Sequence, residues 1–270
     1  MPPGARPTGK VAIITGASLG IGAGLVAAYR GRGWAVVASA RTIKPSQDPD
    51  MLTVGGDIAD PATAGRTTGA ALERFGRIDT LVNTAAVVIA KPFTDYTAAD
   101  YATVVGVNLS GFFWLTQRAI AEMASRYGGH VVNVSATTAE AADPGPPAVL
   151  AALAKGGLAA ATRSLAIEYA SRGIRVNAVS PGIIETPMHP PESCDALGDR
   201  LPPLGRAGQV SDVWTASCSW SPRPTSPARS CISTAARSRI AEAAVRLAGR
   251  RAQPVPARPS AHGGSRCRAW

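Results

Sequence analysis

Through the first 180 residues, short runs of β-branched and apolar residues alternate with longer Ala-rich stretches whose apolar positions recur at helical spacing. That alternation predicts βα repeats, and so a parallel sheet with helices on both faces. Strands are expected at Val11–Ile14, Ala35–Ser39, Met51–Val54, Thr80–Val82, His130–Val134 and Ile174–Val179. Helices are expected at Ile21–Gly31, Pro61–Phe75, Thr97–Tyr127 and Ala148–Arg172, each long enough for the right-handed crossover that parallel neighbours need. The body reads as one doubly wound α/β domain of the Rossmann kind over residues 11–213, behind a Pro/Gly-rich extension at 1–10.

After Val213 the pattern fails. Arg, Ser, Pro and Ala dominate, Trp214 and Trp220 stand among polar residues, and only Ala235–Leu247 has weak helical spacing. Such a composition predicts a disordered, low-complexity tail over 214–270. Charge sharpens the boundary. Residues 1–213 carry 18 Lys/Arg against 17 Asp/Glu, whereas the tail carries 10 Arg against the single acid Glu242, so the net charge of +10 belongs almost wholly to the tail. The body therefore has no basic excess to suggest nucleic acid, and the tail lacks the aromatic–basic interleaving of a stacking platform.

No run of 18 apolar residues and no apolar leader are readable, which favours a cytoplasmic protein without a membrane span. Cys194, Cys218, Cys231 and Cys267 form no CxxC pair and have no His pair at zinc spacing, so neither a disulfide framework nor a metal site is expected.

The candidate chemistry begins at Thr15-Gly16-Ala17-Ser18-Leu19-Gly20-Ile21-Gly22, which follows an apolar strand and opens a helix. Glycines there let the backbone turn tightly and approach a pyrophosphate, while the helix N-terminus offers N–H donors. The spacing TGxxxGxG resembles that of the short-chain dehydrogenase/reductase family. Further motifs follow in order: Asp57-Ile58, Asn83-Thr84-Ala85-Ala86, Asn108, and Pro181-Gly182 with Ile184 and Thr186. The resemblance spans about residues 9–213. It implies that Asp57 and Ile58 frame an adenine, that Asn83 and Ala85 line a cofactor channel, and that Pro181 to Thr186 meet the nicotinamide end.

At the end of the second strand, where NAD-specific members carry an acid, stand Ala40 and Arg41. A guanidinium suits the 2′-phosphate of NADP, so NADP(H) is expected in preference to NAD.

The resemblance also implies a Tyr four residues before a Lys, a Ser after the fifth strand, and Asn108 as proton relay. Lys155 is present, but Ala151 stands at the Tyr position and Ala136 at the Ser position, between Ser135 and Thr137. Asn108, Lys155 and Ser135 are the catalytic candidates, with Lys155 also a ribose ligand. Thr137, Thr138, Glu140, Asp143 and His189 are the loop residues from which a surrogate donor could come. Two readings stay open: an oxidoreductase acting on a carbonyl/alcohol pair, and a non-catalytic NADP(H)-binding or interaction protein. Either is expected to be a homodimer or homotetramer.

Members of that family end on a helix and a seventh strand, which 214–270 does not resemble. Re-reading each codon one nucleotide earlier permits Val-Thr-Gly-Glu-Ile-Leu-His-Ile-Asp-Gly-Gly-Gln across Ser226 to Arg237. The tail therefore reads as a frameshifted ending, with the last strand missing from the sheet.

Overall fold

In a computed structural model, residues 9–126, 128–139, 146–191, 206–218 and 233–235 are described. Six parallel strands form the body of the sheet: β1 (Val11–Thr15), β2 (Ala35–Ala40), β3 (Met51–Gly55), β4 (Thr80–Asn83), β5 (Gly129–Val134) and β6 (Ile174–Pro181). The strand order is β3-β2-β1-β4-β5-β6, so β1 has β2 on one side and β4 on the other. That reversal is the topological switch point, where open α/β sheets leave a crevice outside the strand C-termini.

Every β1 residue is buried, and alternate residues serve opposite faces. Val11 and Ile13 join one core with Ala71 and Phe75 of α2 (Pro61–Phe75), Leu115 and Ile120 of α4 (Gly111–Ala124), and Ala166 of α5 (Val149–Glu168). Ala12 and Ile14 join the other core with Leu25 and Tyr29 of α1 (Gly20–Arg30) and Val213 of α6 (Val210–Cys218). Continuous apolar strands are what a sheet covered on both faces requires.

The helix ends follow local chemistry. Asp60 caps α2 by accepting from the Ala62 N–H, Pro61 opens it, and Gly76 closes it with φ of 75°. Thr97 and Asp100 form a reciprocal capping box on α3 (Ala98–Val105). The expected single helix Thr97–Tyr127 is instead three segments, since a π-helical turn at Gly106–Ser110 separates α3 from α4. Such turns insert one residue into the helical count and tend to mark functional positions.

The C-terminal edge corrects two expectations. Helix α6 runs through Val213 to Cys218, so the fold does not stop at the composition change. Trp214, expected to be stranded, packs edge-on against Tyr29 at 4.7 Å between ring centroids, with the Arg32 guanidinium 4.8 Å from its ring. A long-range aromatic contact of this kind leaves no trace in local composition.

The last strand is also not wholly missing. Ser233–Ala235 forms a short β7 parallel to Val179–Pro181, because strand pairing uses backbone groups and needs no apolar alternation. Glu140, Asp143, Trp220, Cys194, Cys231, Cys267 and most of the tail and N-terminal extension lie outside the described residues.

Candidate functional site

The glycine turn lies at the switch point. Gly16 and Gly20 take φ of 62° and 57°, a left-handed conformation that disfavours any side chain. A Cβ on Gly16 would come within 2.9 Å of the Ala85 backbone, so this turn and the loop after β4 touch main chain to main chain. A Cβ on Gly22 would run into the Gly16 carbonyl. Ser18 and Leu19 are exposed, Ile21 is half-buried, and Leu19 caps α1 in extended backbone without a side-chain hydrogen bond. The first turn of α1 thus presents its N–H groups outward.

Thr15 does work that its place in the motif did not disclose. Its hydroxyl accepts from the Thr84 and Ala85 N–H groups at 2.9 and 3.0 Å and donates to the Val82 carbonyl at 3.4 Å. One side chain therefore ties the two loops of the switch point together.

Arg41 is exposed directly after β2, whose last residue, Ala40, pairs with Gly55. Asp48 and Asp50, the acids of the following segment, are held by Arg30 of α1 at 2.7 and 3.5 Å. Asp57 is exposed and its carboxylate accepts from the Ala59 N–H at 2.9 Å, which shapes the turn that buries Ile58. Pro181 is buried at the end of β6. Beyond it, Gly182 is half-buried, Ile184 bridges to Gly208, and Thr186 forms a tight turn with exposed His189. A Cβ on Gly20 would meet Thr186 at 3.6 Å, so this loop faces the glycine turn.

Asn83 is part of a buried relay of amides and hydroxyls. Its Nδ2 donates to Thr116 Oγ1 at 3.0 Å and Asn133 Oδ1 at 2.8 Å, and Asn133 Nδ2 donates to Thr162 Oγ1 at 2.9 Å. Thr116, Asn133 and Thr162 were missed in the sequence reading. The available signal was a lone Asn inside the apolar run His130–Val134, since a polar group so buried must find partners.

A small pocket gathers the interior candidates. Thr15, Ile58, Asn83, Ala85, Val107, Asn108, Phe112, Lys155 and Leu158 line it. Asn108, on the π turn, accepts from the Val87 N–H at 2.8 Å and donates to the Val87 carbonyl at 2.9 Å. Both ends of its amide are engaged, so this side chain anchors the loop after β4. Lys155 is buried in α5, and its ammonium donates to the Val134 carbonyl at 2.6 Å. Burial pulls that ammonium down to about 8.

Ser135 faces α5. It is buried, its hydroxyl donates to the Lys155 carbonyl at 3.4 Å, and it is not among the residues lining the pocket. Its position one residue before Ala136 turns it toward α5, as alternation along an extended chain requires. Ala151 is buried one turn before Lys155, and half-buried Ala136 precedes the tight turn Thr137–Ala139.

Comparison with known proteins agrees with this arrangement. Residues 10–196 match the short chain dehydrogenase family model. The chain is 37% identical over 190 residues to the oxidoreductase UcpA of Escherichia coli K12, covering 67% of this chain and 72% of that one. A solved short chain dehydrogenase from Bacillus anthracis superposes with a TM-score of 0.68 at 31% identity, over 78% of this chain and 90% of that one. The 3-ketoacyl-(acyl-carrier-protein) reductase of Brucella melitensis, solved with NADH, gives 0.68 at 29% identity over 77% and 88%. The chain belongs to the short-chain dehydrogenase/reductase family, oxidoreductases whose Rossmann fold binds NAD or NADP.

The residues present fit such a dinucleotide. The turn has no room for a Cβ at Gly16 or Gly22, and α1 opens with an N-terminus that no side chain caps. Thr15, Gly16, Ser18, Leu19, Gly20, Ile21 and Gly22 make up this turn and the start of the helix.

Proposed function

We propose that this protein is an NADP(H)-dependent oxidoreductase acting on a carbonyl/alcohol pair, with slow turnover. The observation that carries the cofactor choice is Arg41, exposed after β2 while Asp48 and Asp50 are held elsewhere by Arg30. An exposed guanidinium at that place pairs with a 2′-phosphate, and among the described residues no carboxylate is set to receive ribose hydroxyls there. On this reading Asp57 and Ile58 border the adenine, and Pro181, Gly182, Ile184 and Thr186 border the nicotinamide. Bound there, the cofactor supplies hydride. Lys155 holds its ribose, and Asn108 keeps the loop that carries Ala85 in place.

Ala136 and Ala151 favour a second reading, a protein that binds NADP(H) without turnover. Fluorescence titration with NADPH and NADH, beside NADPH consumption on a panel of ketones and aldehydes, separates them. Tighter NADPH binding with consumption supports the first reading, and tighter binding alone supports the second. Equal affinities overturn the NADP preference. We also propose self-association through α4 and α5, where Phe113, Leu153 and Ile167 are exposed apolar residues. A monomer in sedimentation at micromolar concentration overturns that.

A further inference from the structure

The pocket at the foot of α5 contains few groups able to exchange a proton. Ile58, Ala85, Val107, Phe112 and Leu158 have none to give. The Thr15 hydroxyl donates to Val82, the Asn83 amide to Thr116 and Asn133, and the Asn108 amide is spread across Val87. Among the described residues Lys155 is the one titratable group in the lining, and one of its three ammonium protons is committed to Val134. Ala151, on the same buried face of α5, brings only a methyl group and hence no competing donor.

We propose that Lys155 is the proton donor of this pocket, its ammonium protonating the oxygen of a bound carbonyl compound as hydride reaches the carbonyl carbon. The inference rests on the reading that a reduced nicotinamide supplies the hydride. The balance is complete: hydride forms the new C–H bond, the carbonyl π pair moves to oxygen, and that oxygen takes a proton from Nζ. An alcohol, oxidised nicotinamide and the neutral amine result, and water returns a proton to the amine. In the reverse direction the neutral amine accepts the alcohol proton. Transfer to an alkoxide is strongly downhill from any ammonium, and a donor titrating near neutrality is well suited to work both ways.

The two directions then have opposite pH dependence. Reduction needs the charged amine and falls as pH rises through about 8, whereas oxidation rises across the same interval.

The test uses the full chain with NADPH and 9,10-phenanthrenequinone as probe, and with lysine labelled at Cε for NMR. The Lys155 resonance should titrate with the same midpoint as the fall in kcat. Lys155→Arg keeps the positive charge but cannot release a proton, so it should lower kcat about a hundredfold or more and abolish the break. NADPH affinity of that variant is read by the same fluorescence titration, and rates are compared at saturating NADPH. A variant that keeps its rate or its break overturns the proposal, as does a resonance titrating where an ordinary lysine does. Binding of NADPH without reduction of the quinone also overturns it. If the unmodified chain fails to bind NADPH, the parent reading falls first, and the titration shows this before any rate is measured. Should Lys155→Arg not fold, agreement or disagreement between the NMR and kinetic midpoints in the unmodified chain decides.

Discussion

His130 and Asn177 meet at 2.9 Å between ring Nε2 and amide Nδ2, diagonal neighbours on β5 and β6 and buried from water. An amide N–H can only donate, so the ring accepts at Nε2 and keeps its own proton on Nδ1. Protonating Nε2 would set two donors against each other.

Acid stability should follow from that contact. Burial, aided by the Arg175 charge opposite on β6, lowers the His130 pKa to about 3, against about 6.5 in an unfolded chain. Above pH 6.5 the ring is neutral in both states and contributes nothing to the pH dependence. As pH falls toward 3, the unfolded chain takes up a proton that the folded one refuses, and stability drops by roughly 3–5 kcal/mol. His130→Gln keeps an acceptor for Asn177 and should remove most of this slope, as read from urea midpoints between pH 7 and 4.

Cofactor preference should reside in Arg41. Arg41→Ala should weaken NADPH binding tenfold to a hundredfold, the equivalent of about 1.5–3 kcal/mol, and leave NADH nearly unchanged. Fluorescence titration of both cofactors checks it, and an equal loss for the two would point to a structural role for the arginine.

Restoring a donor on α5 should accelerate turnover. Ala151→Tyr with Ala136→Ser places a phenol one turn before Lys155 and a hydroxyl at the end of β5, an arrangement that general acid assistance values at about 10² to 10⁴ in rate. Steady-state NADPH oxidation on a ketone panel reads the gain. No gain in a folded double variant would mean that the pocket cannot seat the substrate carbonyl near this face.

The docking of α6 should depend on one missing methyl group. A Cβ on Gly24 of α1 would collide with the Val210 side chain. Gly24→Ala should therefore destabilise the fold by about 1–3 kcal/mol, and Val210→Ala in the same chain should recover part of it. Additive losses in thermal denaturation would show that the two helices do not meet there.

The short β7 leaves an uneven edge. It pairs only with Val179–Pro181, so the N-terminal half of β6 from Ile174 has no partner on that side among the described residues. Amide exchange on the β6 N–H groups facing that edge should be faster than on those of β5, which lies between two strands. Uniform protection along β6 would reveal a partner from the tail.

The parts of this molecule legible in the sequence were those written in neighbouring residues. All six main strands, the glycine turn and Arg41 follow from runs, spacings or position within a few residues. What remained hidden was written across distance. Thr15 clamps residues 69 and 70 positions away, and Asn83 reaches Asn133 across 50. The engagement of Asn108 with Val87 could not be read because a motif residue looks the same whether its amide is occupied or open. Trp214 seemed isolated because its partner, Tyr29, lies near the other end of the sequence.

The π turn at Gly106–Ser110 is bounded by two glycines that both press on the Asp57–Ala59 loop: a Cβ on Gly106 would lie 3.2 Å from Ala59, and one on Gly111 would lie 2.8 Å from Ile58. The extra residue in that turn advances α4 by about 100° relative to α3, which brings Asn108 inward on the same short segment that braces Ile58. The Asp57–Ala59 loop and the Asn108 anchor on Val87 thus rest on a single mechanical joint. A side chain added at either glycine would be felt both in that loop and at the Asn108 anchor, so the segment is a poor place to alter one of them alone.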